Sequence, residues 1–266
     1  MLDNTHCANC NRTIDGTEQK YCPHCGQPTP AHRIDWHFLG HELEHSLLHM
    51  DRGVLFTLKH LLLRPGHMMR DYIEGRRQGI VKPFLLLMMV SAAMVLLGKY
   101  LLAGDLIGSV VTIHAGESPP KMIDGTFDTA FLLTTVTAIK DWINQHYTLV
   151  TLLLIPFHSF GFRLAFLREK SVNYPEWLVI TTFLTAQSFV LLTLVMPLQR
   201  VYPVMQPIAV LVAIIYVVAS LAQYFADRMP AWKAAVRALL GYMLYLAATY
   251  LVTFIVAIVV GVLSIR

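Results

Sequence analysis

The sequence predicts an all-α polytopic membrane protein with about five transmembrane helices, a small N-terminal zinc ribbon and juxtamembrane amphipathic helices. Hydrophobic residues make up 55% of the chain and charged residues only 14%, whereas soluble domains carry about 25% charged residues. The mean hydropathy of +0.53 agrees with a membrane protein. The apolar residues collect in five runs, each about 20 residues long and therefore able to cross a bilayer as a helix.

Two C-x2-C pairs hold all the cysteines of the chain: Cys7 with Cys10, and Cys22 with Cys25. Two such pairs supply four thiolates for one tetrahedral Zn²⁺, and a segment this short cannot build a core of its own. Gly26 follows the last cysteine and lets the chain turn with a positive φ. We therefore predict a structural zinc ribbon at residues 1–30, which we expect to bind a protein. Its acidic residues offset its basic ones, so nucleic acid is not an expected partner.

The next segment, residues 31–82, is predicted to form cytosolic, His-rich helices at the membrane interface. Asp35 has the side chain of a helix N-cap. Four histidines recur every four residues and share one helix face: His37, His41, His45 and His49. Eight apolar residues lie nearly opposite: Trp36, Leu39, Leu43, Leu47, Met50, Val54, Leu58 and Leu61. Such helices are expected to lie along the bilayer surface with the apolar side towards the lipid.

Residues 41–45 read H-E-x-x-H, the pattern of zinc peptidases. In a peptidase, His41 and His45 would hold a second Zn²⁺ and Glu42 would take a proton from the zinc-bound water. Glu74 or His49 would supply the third ligand, although neither spacing is diagnostic. The glycine and later histidine of metzincins are absent. A face of four histidines fits a non-catalytic metal site, a surface sensitive to protonation or a packing role equally well, so catalysis stays open.

Five basic residues stand just before the first span: Arg64, Arg70, Arg76, Arg77 and Lys82. Basic residues at the cytosolic surface bind anionic lipid headgroups, and they also set the orientation of the spans. The sequence therefore predicts contact between this cluster and headgroups, with a purely topological role as the alternative.

The transmembrane domain is predicted at residues 83–266, with spans at 83–103, 147–167, 177–197, 204–225 and 238–263 and an external loop at 104–146. Eleven Lys and Arg residues would then lie inside, at 64, 70, 76, 77, 82, 163, 168, 170, 228, 233 and 237, and four outside, at 121, 140, 200 and 266. The positive-inside rule therefore predicts a cytoplasmic N-terminus and a periplasmic C-terminus. A reducing cytosol favours metal binding by the cysteines over disulfides.

Few polar side chains lie inside the predicted spans, and none of them is Asp, Glu, Lys or Arg near mid-membrane. The buried polar candidates are His158, Gln187 and Gln223. Hydrogen bonds between helices explain them more simply than a substrate path does. A small-molecule or lipid transporter, which needs ionisable groups or broken helices at mid-membrane, is for this reason only the third hypothesis.

The chain also carries a set of short motifs. They are the ribbon C-x2-C…C-P-H-C-G-Q with the H-E-x-x-H helix after it, D-R-G-V-L-F-T-L-K at 51–59, R-P-G-H at 64–67, D-Y-I-E-G-R-R at 71–77, K-P-F at 82–84 and N-Y-P-E at 173–176. Together they resemble the bacterial membrane family catalogued as domain of unknown function 3667, and its Bacteroidetes-type members most closely. The resemblance covers nearly the whole chain. It implies an inner-membrane protein with a cytosolic zinc ribbon and carries over no activity, substrate or catalytic residue.

The leading functional hypothesis is an integral protein of the bacterial inner membrane that has no catalysis of its own. It would dock, assemble or sense through its ribbon and its His-rich surface helix, with the lipid bilayer and a protein as partners. The alternative is a membrane-associated zinc hydrolase that uses His41, Glu42 and His45 with a second Zn²⁺. The sequence indicates no oligomeric state.

Overall fold

The computed structural model describes residues 5–14, 20–29, 31–40, 53–106 and 129–264, with side chains from 137 to 251 in the last range. These residues are mostly helical, and they form no strand beyond two isolated β-bridges in the ribbon. The helices are α1 (Val54–Leu63), α2 (Pro65–Ile73), α3 (Pro83–Leu101), α4 (Thr129–Gln145), α5 (Tyr147–Ala165), α6 (Tyr174–Val201), α7 (Met205–Tyr224) and α8 (Ala231–Ser264). Residues 36–40 are helical as well.

Five of these helices are long and apolar enough to cross a membrane: α3, α5, α6, α7 and the first 21 residues of α8. The chain is therefore a multi-pass membrane protein, as its composition predicts. Two helices begin earlier than their apolar runs, α6 at Tyr174 and α8 at Ala231. The reason is that a helix continues through polar residues at its ends, which an apolar run does not include. Within the predicted external loop, α4 forms a further helix.

The central helix of the bundle is α6, and it packs against α3, α5 and α7. Half of its 28 residues are buried. The hydroxyl of Thr181 donates to its own helix, at the carbonyl of Trp177, so that its burial leaves no donor unpaired. Gln187 donates from Nε2 to the hydroxyl of Ser220 on α7 at 3.0 Å. This contact is one of the helix-to-helix hydrogen bonds expected from the sequence.

The two short helices before the first span pack against the bundle. Leu39 and Leu61 from the predicted apolar face are buried, and Val54 and Leu58 are partly buried against the same core. The described part of this face therefore contacts protein. The opposite side of α1 is apolar too, because Leu55, Phe56 and Leu63 are exposed there. Leu43, Leu47 and Met50 lie outside the described residues, while Trp36 is 63% exposed.

Helix α2 lies directly on the end of α7. The backbone N–H of Gly66 donates to Oε1 of Gln223, which is partly buried, at 2.7 Å. This is the second of the predicted hydrogen bonds between helices. A Cβ added at Gly66 would stand 2.5 Å from the backbone nitrogen of Tyr224, so only glycine permits this approach. Arg70 donates to the carbonyls of Gln223 and Tyr224 and pairs with Asp227. It thereby satisfies carbonyls at the negative end of the α7 dipole.

Gly66→Ala should destabilise the protein by about 1–3 kcal/mol, because the new methyl group overpacks the contact between α2 and α7. The measurement is thermal unfolding of the detergent-purified protein, where the variant should melt at a lower temperature. Gly40→Ala is the matched control, since a Cβ there would meet nothing within 4 Å. Equal melting temperatures for the two variants would contradict the close approach.

Candidate metal centre

The four cysteines lie together, with all four Sγ atoms within 4.8 Å of one another. The Sγ atoms of Cys7 and Cys25 are 3.6 Å apart, and those of Cys10 and Cys22 are 3.7 Å apart. A tetrahedral Zn²⁺ with bonds of about 2.3 Å to sulfur separates its ligands by about 3.8 Å. The sulfurs thus have the spacing that one metal ion requires. Among the residues that the structure describes, no other group of His, Cys, Asp or Glu side chains is arranged in this way.

The two cysteine pairs form two turns of the same kind. The second turn follows the first by 15 residues, the separation of Cys7 and Cys22. In the first turn the N–H of Asn11 donates to the carbonyl of Cys7, and in the second the N–H of Gly26 donates to the carbonyl of Cys22, both at 2.9 Å. Gly26 has the positive φ predicted for it, 73°, and Asn11 matches it with 57°. The sequence reading missed Asn11. Its signal was available, because asparagine is among the few other residues that visit this conformation.

The backbone tunes the charge of the cluster. The N–H groups of Cys25 and His24 donate to the Cys22 sulfur and lower the pKa of that thiol to about 6. At Cys10 the N–H of Arg12 lowers the pKa, but burial and hydrogen bonds with the other thiols outweigh it and raise the pKa to about 11. A cation must therefore displace protons from part of the cluster at neutral pH, and its affinity should fall as the solution becomes more acidic.

Gln27 and Arg77 join the ribbon to the short helices. The buried side chain of Gln27 accepts the backbone N–H of Arg77 at 3.2 Å. The guanidinium of Arg77 donates to the carbonyl of Tyr72 at 3.1 Å and to that of His32 at 3.0 Å. It also lies 4.3 Å above the ring of Phe38, a cation–π contact. Arg77, the second arginine of the D-Y-I-E-G-R-R motif, therefore fixes the position of the chain just after the ribbon.

An ion pair between Arg33 and Glu176 joins the chain just after the ribbon to the central helix α6. Arg33 grips the carboxylate of Glu176 with Nε at 2.7 Å and with a terminal nitrogen at 3.0 Å, and this contact raises the pKa of Arg33. Glu176 is 3% exposed, and a buried carboxylate needs such pairing. It also accepts the N–H of Asn173, whose side chain accepts the N–H of Glu176 in return, so that a capping box begins α6. Asn173 donates to the carbonyl of Ile34 as well.

The residues predicted for a second metal site are only partly described. His37 is exposed on the helical segment 36–40, and Asp35 caps that segment by accepting the N–H of Phe38 at 2.8 Å. Glu74 is exposed and pairs with Arg76. Outside the described residues lie His41, Glu42, His45 and His49. A metal site or a catalytic base at these residues therefore stays a prediction.

Three of the five basic residues predicted at headgroups have partners within the protein. They are Arg70, Arg76 and Arg77. Arg76 pairs with Asp71 at 3.2 Å as well as with Glu74. Arg64 is exposed and Lys82 is half-buried. Contact of these side chains with lipid stays a prediction, since a basic residue near a membrane can satisfy its charge in either way.

A family model described as "Protein of unknown function (DUF3667)" matches residues 51–95. The matched segment contains α1, α2 and the first part of α3, and it carries the glycine and arginine contacts described above. This is the family whose motifs the sequence resembles, so the resemblance is confirmed over that segment. No curated protein and no solved structure matches the chain.

Arg33→Ala should loosen the ribbon from the bundle, because Glu176 would keep its buried position without a cation. We expect a loss of about 1.5–3 kcal/mol, the range for hydrogen bonds to charged groups, and faster protease cleavage in the linker at 27–34. Arg12→Ala is the control, because Arg12 is an exposed arginine of the ribbon itself. Metal content should stay at the wild-type level in both variants. Equal cleavage rates would mean that the ion pair does not hold the ribbon.

Proposed function

We propose that this multi-pass membrane protein, which carries the DUF3667 segment, resides in the bacterial inner membrane and has no catalysis of its own. Its ribbon binds zinc and docks a partner protein at the cytosolic face. The observation that carries the proposal is the attachment of the ribbon through Gln27, Arg33 and Arg77. A ribbon that was joined to the membrane domain only by a flexible linker would need none of these contacts. A docking platform held at a set distance from the membrane requires them.

The ribbon lies at the same end of the bundle as the loops at 166–173 and 225–230. Arg33 donates to the carbonyl of Ser171, and Arg228 donates to the hydroxyl of the same residue at 2.7 Å. Most Lys and Arg residues outside the spans belong to this end. The positive-inside rule therefore supports a cytosolic location for the ribbon and a periplasmic C-terminus.

The chemistry of the cysteine cluster supports a structural zinc ion. Cytosolic thiols stay reduced, and thiolate ligands in two C-x2-C turns are typical of zinc. Four protein ligands fill the tetrahedral shell and leave no position for water or substrate. A metal held in this way folds the ribbon without taking part in a reaction.

The outward side of the ribbon offers a surface for a protein. Tyr21 is 64% exposed, and Pro23 and His24 of the second turn are exposed beside it. Aromatic side chains on a rigid support are enriched among the residues that dominate protein interfaces. We therefore assign the partner contact to Tyr21 and the second cysteine turn.

Metal stoichiometry separates the docking function from the hydrolase alternative. We expect one zinc per chain in the detergent-purified protein, one in the His41→Ala/His45→Ala double variant, and none in a Cys7→Ser/Cys22→Ser variant. Two zinc ions in the wild type that fall to one in the histidine variant would contradict the proposal. Glu42→Gln would then show whether that residue acts on a water bound at the second ion, because metal would be retained while hydrolysis was lost.

Site-specific photocrosslinking in cells tests the docking surface itself. A photoreactive phenylalanine in place of Tyr21 should give a discrete protein adduct, and that adduct should disappear when Cys22→Ser unfolds the ribbon. Tyr100 is the control position, since it is 76% exposed near the other end of α3. A failure to form a protein adduct at position 21, or an adduct that survives Cys22→Ser, would overturn docking through the ribbon.

A further inference from the structure

The side of α1 that faces away from the bundle is an exposed apolar surface. Leu55 is 82% exposed, Leu63 is 72% exposed and Phe56 is 48% exposed. Together with Lys59 they occupy an arc of about 100° around the helix, and we call these four residues the outward face of α1. Three large apolar side chains on one side of so short a helix indicate a surface that something other than water covers.

Two contacts place α1 at the level where the spans enter the membrane. Val81, two residues before α3 begins, donates its N–H to Oγ1 of Thr57 at 2.9 Å. The hydroxyl of Tyr216 on α7 donates to the carbonyl of Leu62. At 1.5 Å per residue, Tyr216 stands about 12 Å inside the end of α7 on the ribbon's side, Tyr224. The last turn of α1 therefore lies beside a membrane-spanning part of α7.

The backbone at the end of α1 is suited to surroundings without water. The last carbonyls of a helix have no partner within it, and in lipid the protein must supply one. The carbonyl of Leu62 would ordinarily accept the N–H of Gly66, but that N–H donates to Gln223. The hydroxyl of Tyr216 takes its place. In water this carbonyl would need no partner from the protein.

Two cations beside the outward face have no ion-pair partner among the described residues. Lys59 belongs to the face, Arg64 follows the helix directly, and both are exposed. They differ in this from Arg70, Arg76 and Arg77, which bind within the protein. Helix α1 also contains no Asp or Glu. Long basic side chains next to an apolar face match the phosphates above the acyl chains of a lipid leaflet.

We propose that α1 lies in the lipid leaflet at the ribbon's end of the bundle, with Leu55, Phe56 and Leu63 among the acyl chains and with Lys59 and Arg64 at the phosphates of anionic lipids. The apolar face of such an interfacial helix sinks about 5–10 Å below the headgroups. The depth set by the two contacts above favours lipid over a soluble protein as the occupant. The contact with headgroups then rests on Arg64 and on Lys59, which the sequence prediction did not include.

Photocrosslinking tests the position of the outward face in the full-length protein, reconstituted in vesicles of equal amounts of phosphatidylethanolamine and phosphatidylglycerol. A photoreactive phenylalanine replaces Leu63 or, in a second variant, Leu55, and mass spectrometry of the protein detects the adducts. We expect a phospholipid adduct at both positions. Leu153 on α5, which is 62% exposed, should also give one, whereas Tyr21 on the ribbon, which is 64% exposed, should give none. Two positions keep the test valid if one variant fails to fold.

The same adducts report on the two cations. With the photoreactive residue at position 63, Lys59→Gln/Arg64→Gln should reduce the preference for phosphatidylglycerol over phosphatidylethanolamine by about fivefold for each lost cation, the scale of one basic residue at a lipid surface. Arg12→Gln/Lys20→Gln is the control, because it removes two exposed cations from the ribbon and should leave the preference unchanged.

Three results would overturn the proposal. The first is the absence of a lipid adduct at positions 55 and 63 while position 153 forms one. The second is an adduct with a protein at both positions, which would assign the face to a partner or to a second copy of the chain. The third is a preference for phosphatidylglycerol that survives the loss of Lys59 and Arg64.

Discussion

The buried carboxylate of Glu176 is the constraint on which the rest of the structure depends. Both oxygens accept hydrogen bonds from Arg33, in the chain that leaves the ribbon, and one of them also accepts the N–H of Asn173 at the start of the central helix. A charge removed from water in this way is stable only when both partners are present. The same side chain therefore begins α6 and attaches the cysteine-bearing ribbon to it. This dual role accounts for the N-Y-P-E motif, whose first residue also bonds to Ile34.

The segment that matches the family model has a comparable physical explanation. At two of its glycines, two backbones touch: a Cβ on Gly53 would stand 2.2 Å from the carbonyl oxygen of Gly79, and one on Gly66 would stand 2.5 Å from the backbone nitrogen of Tyr224 on α7. Its hydroxyl and guanidinium groups serve the backbone. Thr57 accepts the N–H of Val81, and Arg70 satisfies carbonyls at the end of α7. The matched motifs thus specify a set of contacts at one end of the bundle. These contacts hold the ribbon, the short helices and α7 together.

Features that depend on local spacing could be predicted from the sequence. The cysteine cluster, the five spans, the Asp35 cap and the positive φ of Gly26 are of this kind, since each depends on residues close together in the chain. Partners separated by more than a hundred residues could not be predicted, because periodicity identifies a helix face without identifying what covers it. The apolar face of α1 suited a bilayer and a protein bundle equally well, and its described residues contact the bundle.

The same limit applies to the buried polar residues. Gln187 and Gln223 each form a hydrogen bond with a neighbouring element, as expected for polar side chains in apolar surroundings. Nothing in the sequence distinguished His158 from these two residues. Only the arrangement of the surrounding helices reveals that its Nε2 is buried beside a cavity without a hydrogen-bond partner among the described residues. His41, Glu42 and His45 lie outside the described residues, so the metal site predicted for them stays a prediction.

The separation of 143 residues between Arg33 and Glu176 has a consequence for biogenesis. At about 5–20 residues per second, the ribosome completes Glu176 roughly 7–30 seconds after Arg33 has been made. During that interval two spans, α3 and α5, are made while the ribbon has no complete bundle to contact. Until then the cysteine turns have their own backbone hydrogen bonds and the contact between Gln27 and Arg77 to hold them. A metal ion bound by the cysteines, as proposed above, would keep the ribbon folded until its contact site on the nascent bundle is made.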